Sequence, residues 1–211
     1  MLSGQKLLHR GAFLLNDQRN AVHKPNEFGV TAKLQGRFME NQEIEEIQRI
    51  FITRLDALSH ILDLAEKHFD DLDPVMQERL ASDMLPFGTQ VAFACNQPRG
   101  FSQWCAGQPV ENLPREVESI ETARSHIRQT KHLVENIAAI DTKLSEIKRI
   151  GLGPGRYCEL PARQYVNDFL MPNLYFHITI AYGILRKLGV PLGKTDYMTF
   201  LLPYIRQEED A

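Results

Sequence analysis

Met171–Tyr197, MPNLYFHITIAYGILRKLGVPLGKTDY, is the stretch whose reading decides the fold. At about 3.6 residues per turn, Asn173, Phe176, His177, Ile180, Ala181, Ile184 and Leu188 share one helical face. Five of these seven residues are apolar, so the face is a core stripe, with Asn173 and His177 set into it one turn apart. Arg186 and Lys187 complement the helix dipole at its C-terminal end, and Gly189 with Pro191 stops the helix. A polar pair inside an apolar stripe must find partners or cost on the order of 1–3 kcal/mol per unsatisfied group. That obligation makes Asn173 and His177 the first place to look for function.

Upstream, the same helix is predicted over 162–188, with Pro172 disturbing its backbone hydrogen bonding one turn before His177. Before it, Ile147-Lys148-Arg149-Ile150 and Tyr157-Cys158-Glu159-Leu160 flank Gly151-Leu152-Gly153-Pro154-Gly155, which reads as a short hairpin or an irregular loop. The run GLGPG has the glycine content of a phosphate cradle. It lacks the strand–loop–helix setting and the following Lys-Ser/Thr, so a turn is the better reading.

Three more helices precede the hairpin. The first, predicted over 42–68, buries Ile44, Ile47, Phe51, Leu55, Leu58, Leu62 and Ala65, and Glu43, Glu45 and Glu46 suit its positive end. The run Asp70-Asp71-Leu72-Asp73-Pro74 breaks it; without the glycine and distal glutamate of a calcium loop, this is a solvated turn with capping residues. The second helix, predicted over 87–106, carries Phe87, Gln90, Ala94, Gln97, Phe101 and Trp104 inward, with a kink expected at Pro98 and Gly100. Gln90 is the polar exception on that stripe. After a loop at 107–114, the third helix is predicted over 117–140 with Ile120, Ile127, Leu133, Ile137 and Ile140 buried. His126 and His132, six apart, fall on different faces and read as surface histidines.

Composition narrows the class. The chain has 211 residues, 43% hydrophobic and 24% charged, which suits one globular domain with a real core. It contains no apolar run long enough to span a membrane, and its formal net charge of -3 argues against a nucleic-acid partner. Cys95, Cys105 and Cys158 fit no metal or redox spacing and read as reduced thiols in a cytoplasmic protein. Residues 1–38 stand apart, with six Lys/Arg against two acids and no sustained helical period. They read as a loosely packed N-terminal arm ahead of a helical unit at 39–205 and an acidic tail at 206–211. The basic composition also suits a mitochondrial transit peptide, the alternative to a cytoplasmic placement. Such an arm buries little apolar area. A chain starting at Met39 is therefore expected to melt within a few degrees of the full chain, and a large loss of melting temperature would mean that the arm docks.

The blocks PNLYFHITIAYGILRKLGVPLGKTDY and SDMLPFGTQVAFAC (Ser82–Cys95), taken together, resemble an uncharacterised domain-of-unknown-function branch of the DinB/YfiT-like superfamily. The resemblance covers about residues 44–200. It implies an all-α DinB-like four-helix bundle with a long crossover between its second and third helices, commonly as a homodimer. Members of the superfamily commonly bind a divalent metal through three histidines, and some act on low-molecular-weight thiols. By position only His177 matches a ligand of that pattern; Asn173 and, by topology, Gln90 stand where the other two would be. One imidazole and two neutral amides supply no anionic ligand, so zinc or nickel would bind weakly at best.

Two readings of the three residues follow. Gln90, Asn173 and His177 hold a weak metal or a small polar ligand, or they hydrogen-bond one another and pin the second helix to the fourth, a common structural device. The plainer, structural reading is preferred. Met84, Met171, Tyr175, Phe176 and Tyr182 are read as packing, and Asp83 as a cap. The function classes left open are a ligand-binding or non-catalytic bundle and a divalent-metal enzyme acting on a thiol or similar small molecule. A structural dimer through Met198–Leu202 is compatible with either.

Overall fold

The computed structural model describes residues 41–207, so the expectations for the arm at 1–38 and for residues 208–211 of the tail lie outside the described residues. The chain is predominantly helical, with one small antiparallel sheet. Helix α1 (Gln42–His68) buries Ile44, Phe51, Leu55, Leu58, Leu62 and Ala65 as its spacing predicts, while Ile47 is half-buried. Its N-terminus is capped from far along the chain. Asn41 makes no side-chain cap, and the Asp141 carboxylate accepts instead from the Glu43 and Ile44 amides at 3.1 and 2.9 Å. The acidic turn after α1 plays the same part for a later helix: Asp73 accepts from the Ile120 amide at 2.8 Å.

Helix α2 (Phe87–Cys105) remains one helix through Pro98, and Phe87, Gln90, Ala94, Phe101 and Trp104 are buried. The segment after it is more than a loop. It runs back along α2, held by Asn96 accepting from the Leu113 amide, Thr89 donating to the Arg115 carbonyl, and Arg99 donating to the Glu111 carbonyl. Gly88 permits the closest approach. A Cβ there would strike the Val117 carbonyl oxygen and stand 2.9 Å from the Val117 Cβ.

Helix α3 departs from expectation. It spans Ile120–Glu135 rather than 117–140, opened by the Ser119 hydroxyl accepting from the Thr122 amide. Its buried face is Ala123, His126, Ile127, Thr130 and Val134, whereas Ile120, Leu133 and Ile137 are half-buried and Ile140 is exposed. Of the predicted stripe only Ile127 is fully buried, and His126 is a core residue rather than a surface one. His132 is exposed.

The hairpin reading holds. Strands β1 (Ile147–Gly151) and β2 (Tyr157–Pro161) pair antiparallel from Ile147↔Pro161 to Gly151↔Tyr157. The glycine-rich run is their turn, with Gly153 and Gly155 at φ 103° and 69°, where a side chain would be strained. One unbroken helical run follows, here α4: Ala162–Gln164, a π-helical segment Tyr165–Leu170, and Met171–Lys187. Pro172 does not end it. The wide turns lie just where the proline ring crowds the carbonyl four residues back and where its missing N–H breaks the ladder. Gly189, at φ 91°, closes α4: the Gly189 amide donates to Arg186 O and the Val190 amide to Leu185 O.

The inward face of α4 is centred on Leu174, His177, Ile178, Ala181, Ile184 and Leu185. This is turned by close to one residue from the predicted stripe, so that Phe176 is 53% exposed. Helix α2 packs most extensively against α4 and α3, and α1 lies mainly on α3. Phe51 of α1 meets Phe101 of α2 edge-on at 5.6 Å in the centre of the core. No helix of the described residues is long and apolar enough to cross a membrane.

Candidate functional site

The contact between α2 and α4 brings two of the three predicted polar residues together. His177 Nδ1 lies 2.8 Å from Gln90 Oε1, and both residues are buried. The direction of that bond follows from Gln90's other end. Its Nε2 donates to the Leu85 carbonyl at 3.0 Å, which turns Oε1 toward the histidine. An amide oxygen only accepts, so His177 Nδ1 carries the proton and Nε2 keeps a lone pair. Burial draws the His177 pKa down to about 4, so the ring is neutral at pH 7. Phe93 packs edge-on against it at 5.3 Å.

Asn173 is placed differently. Its Nδ2 donates to the Phe169 carbonyl at 2.6 Å, an i−4 bond within α4, and no hydrogen bond joins it to Gln90 or His177. This carbonyl lies in the region where Pro172 and the wide turns disturb the backbone ladder. Asn173 and His177 do share a cleft of about 510 Å³ between α2, the strap behind it, β1 and α4. That volume is in the range of small-molecule sites.

The fit to a metal is poor. Gln90 Oε1 is committed to His177 and Asn173 Nδ2 to Phe169, which leaves His177 Nε2 and Asn173 Oδ1, both neutral. Two neutral donors do not make a tight zinc or nickel site. Among the described residues, no three His, Cys, Asp or Glu side chains come together.

The cleft also holds residues that the sequence reading passed over. Tyr165 lines it with only 4% of its surface exposed, and its hydroxyl forms no hydrogen bond among the described residues. Burial pushes that phenol up to about 12, with Cys105 adding to the shift. Along α4, Tyr165, Phe169, Asn173 and His177 fall at four-residue steps. In a straight α-helix such steps drift by about 40° each, and the wider π segment turns less per residue and offsets part of the drift. Lys148 lines the opposite wall with Ile150. The alternation of β1 was the available signal, since residues 148 and 150 share one face of the strand.

A second buried polar group lies away from the cleft. His126 Nδ1 and Nε2 and Thr130 Oγ1, all on the inward face of α3, are buried without a hydrogen-bond partner among the described residues. Burial, and then the nearby Arg99, lowers the His126 pKa.

Residues 45–198 match the family model of a domain of unknown function, DUF1993. Among solved structures, the chain is similar to a DinB family member protein from Shewanella denitrificans, with 28% sequence identity and a TM-score of 0.62, over 76% of this chain and 90% of that one. No curated protein matches the chain.

Proposed function

Because the chain belongs to the DUF1993 family and has a DinB-like fold, we propose that it is a small-ligand-binding helical bundle rather than a metal-dependent enzyme. In this reading α1–α4 are the four helices of a DinB-type bundle. The cleft between α2 and α4 is its binding site, and Gln90, Asn173 and His177 are what the superfamily's metal triad has become. A homodimer belongs to the same proposal, for which exposed Leu201, Leu202, Tyr204 and Ile205 offer apolar surface.

The observation that carries the reading is the Leu85–Gln90–His177 chain of hydrogen bonds. It spends the glutamine on orienting the imidazole, as an outer-shell partner does, and presents one neutral acceptor, Nε2, to the cleft. A ring held neutral suits recognition of an O–H or N–H donor on a ligand.

Metal titration separates this reading from the enzyme alternative. Saturating zinc or nickel should leave the wild-type melting temperature unchanged, because two neutral donors give too little affinity for stabilisation by mass action. Asn173→His adds a second imidazole at i, i+4 on α4 and should make the melting temperature rise with metal. A metal-dependent rise of several degrees in the wild type would overturn the proposal in favour of the enzyme.

A further inference from the structure

The cleft's electrostatics are one-sided. None of its lining residues is Asp or Glu, while Lys148 and Arg149 both border it. Arg149 is occupied, its guanidinium stacked 3.7 Å from the Tyr157 ring centroid. Lys148 is not paired. It is half-buried, and among the described residues it forms no ion pair or hydrogen bond. Its ammonium lies 5.8 Å from the ring centroids of both Trp104 and Tyr165, at the outer limit of a cation–π contact. Neighbouring Lys143 is already spent on Glu146, at 2.8 Å. Burial and the Lys143 charge both lower the Lys148 pKa, as expected of a cation lacking its counter-charge.

Uncommitted polar groups therefore line one cleft: the Lys148 ammonium and Tyr165 hydroxyl at the hairpin end, and His177 Nε2 with its neighbour Asn173 Oδ1 further along α4. Apolar wall lies between them, from Phe93, Phe169 and Ile150. Tyr165 and His177 are each more than nine-tenths buried, so their free atoms have little but the cleft to bond to. We propose that the cleft binds a small organic anion, its oxyanion held between Lys148 Nζ and the Tyr165 hydroxyl, its apolar body along Phe93 and Phe169, and an O–H or N–H donor against His177 Nε2. The inference rests on the binding-cleft reading above and adds the charge and polarity of the ligand.

A matched set of probes tests it on the full chain: 3-(4-hydroxyphenyl)propionate, its neutral primary amide, and 3-phenylpropionate, which lacks the hydroxyl. Affinities come from titration followed by NMR, with the His177 ring resonances as the local reporter. The carboxylate should bind about tenfold or more tightly than the amide, and Lys148→Met should erase most of that preference. Tyr165→Phe should weaken the carboxylate severalfold. Removing the probe's hydroxyl should lower affinity and diminish the response of the His177 ring. If the amide binds as tightly as the carboxylate and both move His177, the anion assignment fails and the binding cleft stands. If no probe moves the His177 resonances at concentrations of about 10 mM, both are overturned.

Discussion

Acidification from pH 7 to pH 4 is expected to cost the folded chain roughly 3 kcal/mol through His177 alone, the free energy that about 1.4 kcal/mol per pH unit assigns to its shift. Burial takes the imidazole from an ordinary 6.5 down to about 4. Between those values the unfolded chain takes up a proton that the folded chain refuses, so stability rises with pH through that window. The contribution is intact above pH 6.5 and is lost as pH falls toward 4. His126, whose pKa burial also lowers, works in the same direction, so the comparison must isolate His177. His177→Leu does so. At pH 7 the variant should be less stable by about 1–3 kcal/mol, because Gln90 Oε1 loses its donor inside the core. As the pH falls, denaturant midpoints of wild type and variant should converge, since only the wild type carries this penalty. Parallel curves from pH 7 to pH 4 would mean that His177 is not held neutral by its surroundings.

Phe101→Ala should destabilise the chain by about 3–5 kcal/mol, while Phe176→Ala should stay within about 1 kcal/mol of wild type. Phe101 is fully buried and sits between Phe51 and Trp104, at ring separations of 5.6 and 6.0 Å. Removing it leaves a cavity beside Phe51 and Trp104 that the packed core closes only in part. Phe176 is 53% exposed, and its ring contact is an edge-on approach to His177 at 5.3 Å. Read from its spacing, Phe176 belongs to the inward stripe of α4 and ought to be as costly to remove as Phe101. Equal losses from chemical denaturation would restore that reading and contradict the packing of α4 described above.

The two phenylalanines show how far periodicity reaches. On α1 and α2 the large apolar residues are also the buried ones, so their spacing locates the face directly. On α4 the apolar residues extend around more than half the helix, and spacing leaves the centre of the buried face uncertain by about one residue, or 100° of rotation. On α3 the large residues mislead. Ile140 lies beyond the helix and is exposed, while small Ala123 and Thr130 turn inward beside His126. Ile127 and Val134 complete that face, but a histidine and a threonine within it carry no apolar signal, so nothing in the pattern separated His126 from a surface residue.

Part of the candidate site was readable in the same way. His177 stands out as a polar residue in an apolar stripe, and Gln90 as its counterpart on α2; burial required each to find a partner, and they found one another. Asn173 shares the helical face but not the bond, because Phe169 O, in the disturbed turn upstream of Pro172, claims its amide. Tyr165 and Lys148 were missed, since a tyrosine in a helix and a lysine in a hairpin are ordinary residues until a cleft forms between them.

The sequence by itself determined the helical class, the spans of α1 and α2, the extent of α4, the glycine-rich turn before it, and the polar pair facing inward from α2 and α4. These depend on local periodicity, helix stops and glycine turns, interactions that reach only a few residues. That the segments beside the turn pair as a hairpin, rather than form an irregular loop, came from the structure. Tertiary structure alone decided that Asp141 caps α1 from 97 residues away, that Asp73 caps α3, and that the chain after α2 straps back along it. It also decided which nitrogen of His177 is free. That choice passes from the Leu85 carbonyl through the Gln90 amide to the imidazole, and only the packing of α2 on α4 sets those three groups in line.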